Sequence, residues 1–116
     1  MAFLLLVSSD IGARDAWRVE LENHGQHVVV APTAPAAIAR LREGGIDAVV
    51  VDHEVLGGIA PLVAGLELLP ESPPLVFISG APSAPALSAT IGAAAFLPRS
   101  SAIEELAAVV GRVAAA

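Results

Sequence analysis

Short apolar runs that end abruptly constrain this chain more than anything else in it. Phe3-Leu4-Leu5-Leu6-Val7 breaks into Ser8-Ser9-Asp10, and Ala48-Val49-Val50-Val51 breaks into Asp52. Near-continuous runs of Leu and Val, too short for helices, read as strands buried on both faces, as in a parallel sheet. Strand-like runs recur over residues 3–8, 27–31, 48–52, 75–79 and 94–97. Helix-length segments separate them. A strand-helix alternation repeated five times predicts an α/β fold in which a doubly wound, five-stranded parallel sheet lies between two helical layers, with right-handed crossovers. One domain over residues 1–116 is expected, because a chain this long forms one core and not two.

The helix boundaries follow from local chemistry. Asp10 is a candidate N-cap for a helix stopped by Gly25, with Ala13, Trp17 and Leu21 at i, i+4 and i+8 on one face. Thr33 caps the second, with Pro35 in its first turn and Gly44-Gly45 after it. In that helix Ala37, Ile38 and Leu41 are expected inward. The third is expected from about Ala60 to Leu69, ended by Pro70. Pro82 and Pro85 interrupt the next segment, which predicts a loop and a short helix. For the last helix Ser100 or Ser101 is the expected cap, with Glu104 as capping-box partner of Ser101 and an apolar stripe at Ile103, Leu106, Val109, Val110 and Val113.

Charge and composition exclude several classes of function. All six basic residues are Arg against 12 acidic ones, so no basic patch is expected for nucleic acid or for an anionic membrane surface. No apolar run approaches the ~20 residues of a membrane span, and no basic segment precedes the first run, so neither a span nor a signal peptide is expected and the expected location is cytoplasmic. The absence of Cys removes thiolate chemistry and disulfides. The absence of Lys removes any phosphate loop of the G-x-x-x-x-G-K type, which leaves Gly57-Gly58 as a turn into a helix.

Chemistry in an open parallel sheet sits beyond the carboxyl ends of the strands. Asp52 is therefore the first candidate, either as a nucleophilic or metal-binding carboxylate or as a loop acid. His53, its neighbour, is expected to point away from it by strand alternation. His24 and His27 are expected at the surface, and the three His have no metal-ligand spacing. No second catalytic group is placed beside Asp52, so an enzyme acting on a small molecule is not expected.

Leu5 to Asp10, Asp47 to Asp52, Val76 to Ser79 and Gly92 to Arg99, in that order, together with Leu21-Glu22-Asn23-His24-Gly25, give a chain that resembles the receiver domains of two-component response regulators. The resemblance covers essentially the whole chain and implies the flavodoxin-like (βα)5 fold of CheY. It implies that Asp52 is the phosphoacceptor, that Ser79 is the hydroxyl meeting the phosphoryl group, and that Phe96 is the aromatic switch residue. Other positions depart. Ser8 and Ser9 stand where the family places two Mg²⁺-holding acids, with Asp10 one residue beyond them. Arg99 replaces a Lys, Ser100 the Pro after it, and Leu56 a Pro before Gly57.

Mg²⁺ prefers charged oxygen ligands in octahedral geometry, which two hydroxyls do not supply. Loss of one electrostatic stabiliser typically costs about 10²–10³ in rate. The expectation is weak Mg²⁺ binding, if any, with Asp10, Asp52 and Glu54 as the candidate ligands. Arg99 keeps a positive charge, as a planar fork suited to carboxylates. It either pairs with Asp52, directly or by way of Ser79, or extends into solvent. The leading expectation is an atypical receiver that is not an enzyme and acts through a protein partner, a histidine kinase or a downstream effector. Its expected partner surface is the face built from the fourth helix, fifth strand and fifth helix, including Phe96. The alternatives are a working phosphoacceptor at Asp52 and a structural dimerisation module, with a homodimer left open.

Overall fold

The computed structural model describes residues 2–115. Strands β1 (Phe3–Val7), β2 (His27–Ala31), β3 (Ala48–Asp52), β4 (Leu75–Ser79) and β5 (Ala95–Pro98) alternate with helices α1 (Ile11–Asn23), α2 (Ala34–Arg42), α3 (Ile59–Glu67), α4 (Ala84–Thr90) and α5 (Ala102–Ala115). All strand pairs are parallel, in the order β2-β1-β3-β4-β5. The expected three-layer α/β fold is therefore present.

Strand alternation divides the core in two. Leu4, Leu6, Val50, Val76 and Ile78 project to one face, where they meet Trp17 and Leu21 of α1 and Leu106, Val109 and Val110 of α5. Leu5, Val7, Val49, Val51, Leu75 and Phe77 project to the other, against Ala37 and Leu41 of α2, Leu62 and Leu66 of α3 and Ala84 of α4. Every residue of β3 and β4 is buried. This is why those runs carry no polar alternation until their last residues, Asp52 and Ser79.

The caps of α1 and α2 behave as their chemistry requires. Asp10 accepts from the Ala13 amide at 3.2 Å and Thr33 from the Ala36 amide at 3.2 Å. Before α5 no serine cap forms. Arg99–Ser101 make a 3-10 turn, and the Ser101 hydroxyl donates back to the Pro98 carbonyl at 3.3 Å. Ala102 is buried, whereas Ile103, expected in the apolar stripe, is 40% exposed. The segment with Pro82 and Pro85 forms a loop and a seven-residue helix, as expected.

Candidate functional site

The β1–β3 register pairs Val7 with Val51, so Ser8 and Asp52 leave the sheet side by side, on the α1/α5 face. Both are buried, Asp52 to 1% exposure. A carboxylate so far from water requires partners, and Asp52 has three. Its Oδ2 accepts from the Ser8 hydroxyl at 3.1 Å. Its Oδ1 accepts from Arg99 Nη1 at 2.6 Å and from the Glu54 amide at 3.3 Å. The open alternatives for Arg99 thus resolve to direct pairing with Asp52.

Arg99 reaches further than the pairing expectation. Its second nitrogen, Nη2, donates to Asp10 Oδ2 at 2.6 Å. One planar fork therefore joins the end of β3, the β1–α1 loop and the turn after β5. Its guanidinium also lies over the Trp17 ring, 5.4 Å from the centroid, within cation–π range. Burial works against the Arg99 charge. The hydrogen bond that Arg99 donates to Asp52 and then the charges of Asp52, Asp10 and Glu54 outweigh it, and the pKa rises above the ordinary arginine value. Asp10 both caps α1 through Oδ1 and holds Arg99 through Oδ2.

Ser8 and Ser9, adjacent in sequence, do different things. Ser8 faces Asp52 and also accepts from the Asp10 amide at 3.2 Å. Ser9 turns away: its hydroxyl donates to the Pro32 carbonyl and accepts from the Leu56 amide at 2.7 Å. It ties three loops together and does not line the carboxylate. The Leu56 loop is itself held close, since a Cβ on Gly57 (φ +97°) would meet Pro35 Cδ at 3.0 Å.

The donor set does not fit Mg²⁺. Among the described residues no three Asp, Glu or His side chains converge as a metal site. Asp10 and Asp52 converge on a guanidinium, Glu54 is exposed, and the only neutral oxygen beside Asp52 from the two serines is that of Ser8. Asp10, Asp52 and Glu54 are the three acids whose charges act on Arg99.

Strand alternation turns His53 away from Asp52. The alternation holds, yet it brings His53 to Ser79, which leaves β4 on that same face with Phe77. His53 Nδ1 lies 2.7 Å from the Ser79 hydroxyl, and Ser79 Oγ also accepts from the Ala81 amide at 3.1 Å. The His53 ring lies tilted 5.2 Å from Phe77, and Phe77 lies 6.3 Å from Phe96. The sequence signal was available: Val51, His53, Phe77 and Ser79 share one parity across paired strands. A cavity of about 410 Å³ lies between the two clusters, bordered by Asp52, His53, Glu54, Ser79, Gly80, Ala81 and Arg99.

No protein-family model and no curated protein matches the sequence. Solved structures do match. The non-phosphorylated HemR receiver domain from Leptospira biflexa superposes with a TM-score of 0.85 at 24% identity, covering 100% of this chain and 96% of that one. The receiver domain of NtrX from Brucella abortus gives 0.84 at 24% identity, over 97% and 98% of the two chains. A CheY-like response regulator receiver domain protein from Methanospirillum hungatei gives 0.85 at 18% identity, over 99% and 94%. The chain has the receiver-domain fold. In that receiver fold Asp52 ends the central strand, Arg99 follows the fifth, and Phe96 is half-buried beside α4. Among the described residues no helix is long and apolar enough to cross a membrane.

Proposed function

We propose that this chain is an atypical receiver in two-component signalling, which acts by binding a protein partner and not by catalysis, with Mg²⁺-dependent phosphorylation of Asp52 impaired or absent. The Arg99 bridge between Asp52 and Asp10 is the observation that carries this reading. A phosphoryl donor must meet a free carboxylate oxygen and a charge-neutralising cation. Here Oδ1 holds Arg99 and Oδ2 holds Ser8. The guanidinium supplies positive charge, but it is fixed on two carboxylates and leaves no pair of acids free for a divalent ion. The partner, a histidine kinase or a downstream effector, is proposed to read the α4–β5–α5 face, on which Phe96 lies.

The test is intact mass after incubation with Mg²⁺ and a small phosphodonor. No mass gain is expected for the native chain, and no change in Trp17 emission on Mg²⁺ addition. Gain of one phosphoryl group, lost in Asp52→Ala, would overturn this reading in favour of a working phosphoacceptor.

A further inference from the structure

His53 carries an arrangement that the chemistry at Asp52 does not require. Ser79 is 3% exposed, so its single hydroxyl proton needs an acceptor. One lone pair of Ser79 Oγ already accepts from the Ala81 amide at 3.1 Å. The remaining contact is His53 Nδ1 at 2.7 Å. Were Nδ1 protonated in the neutral ring, Ser79 would accept twice and its own proton would find no protein partner among the described residues. The satisfied arrangement has Ser79 donating to an unprotonated Nδ1, with the imidazole proton on Nε2. The same ring bears on Phe77, and Phe77 on Phe96. Side chains that leave β3, β4 and β5 on one face are thus joined from the Asp52 edge to the α4–β5 surface.

We propose that His53 is a positioning residue for that surface: it fixes the Ser79 hydroxyl through Nδ1 and the Phe96 ring through Phe77, without any group bound at Asp52. The proposal rests on the receiver reading only in naming this surface as the one a partner meets. Its two arms are separable by substitution. Asn at position 53 keeps an acceptor close to where Nδ1 lies but has no ring, whereas Phe keeps a ring and has no acceptor.

The experiment is NMR of the native chain with no phosphodonor or metal present, so phosphorylation of Asp52 does not enter its outcome. With the ring neutral, the His53 ¹⁵N spectrum is expected to show Nδ1 unprotonated and Nε2 protonated. His53→Phe is expected to shift the Ser79 and Ala81 amide signals while leaving the Phe96 ring signals near native. His53→Asn is expected to do the reverse, and His53→Ala to move both sets. An Nδ1-protonated tautomer would overturn the proposal. So would a His53→Ala protein, folded by far-UV circular dichroism, in which the signals of Ser79, Ala81 and Phe96 all stay native.

Discussion

Asp52 and Arg99 show how burial turns an ordinary ion pair into a structural commitment. Exposed pairs contribute little, but Asp52 is 1% exposed and Arg99 27%. Removing one partner leaves the other charge desolvated, which costs about 3–5 kcal/mol for a fully buried pair. Arg99→Ala is expected near the low end, about 3 kcal/mol by urea denaturation, because the guanidinium is itself partly solvated. A loss below about 0.5 kcal/mol would mean that Asp52 is held by Ser8 and the Glu54 amide alone. The pH dependence has a definite sign. A cation whose folded pKa is raised contributes stability that is complete below its unfolded pKa and is lost only as pH rises through the folded one. For Arg99 that window lies beyond the alkaline range of proteins, so the cation stays charged from acid to mildly alkaline pH and the bridge does not titrate from its side.

At the scale of elements, Asp10 serves α1 and the Arg99 bridge at once, and substitution separates the two. Asp10→Ser keeps a side-chain acceptor for the Ala13 amide and removes the second carboxylate from Arg99. Asp10→Ala removes both. The alanine variant is expected to be about 1 kcal/mol less stable than the serine variant, the ordinary worth of an N-cap. Both should change Trp17 emission, since the ring lies under the guanidinium. Equal stabilities would show that the cap contributes nothing here.

The α2–α3 contact makes a second demand on sequence. A Cβ on Gly65 would sit 2.8 Å from Ile38 Cγ1, which no packed side chain tolerates without movement. Gly65→Ala gains about 1 kcal/mol of helix propensity but meets an overpacking cost of about 1–3 kcal/mol. A net loss is expected in the native background and a net gain in Ile38→Ala. Thermal denaturation of the double-mutant cycle checks the change of sign.

The whole molecule is one sheet with a core on each face, so neither core is expected to melt without the other. Both cores use alternate residues of the same strands: Leu4 and Leu6 to one, Leu5 and Val7 to the other. Trp17, the only Trp, reports the α1/α5 side. Its fluorescence and the far-UV circular dichroism should trace one coincident urea transition. A Trp17 transition that precedes loss of secondary structure would show that the α1/α5 face unfolds alone.

Much of this protein was legible in its sequence, for a physical reason. Strand burial on both faces writes itself as unbroken apolar runs, helix starts as capping residues, and the carboxyl edge of the sheet as the abrupt switch to Ser8 and Asp52. The same logic fails where a residue has two local options of similar energy. Ser101 had a capping box available with Glu104, but the 3-10 turn at Arg99 took the serine into a bond with Pro98. Ser8 and Ser9 look alike in the chain, and only the approach of Pro32 and Leu56 draws one of them away. His53 was rightly turned from Asp52 by alternation, and only the pairing of β3 with β4 placed Ser79 beside it. The sequence by itself determined the layers, the strands and the edge at which the charged residues collect, because those follow from periodicity along one chain. The tertiary structure decided that Arg99 bridges Asp52 and Asp10 and does not extend into solvent. That choice depends on distances between three loops, and on a buried carboxylate having to find its cation inside the protein.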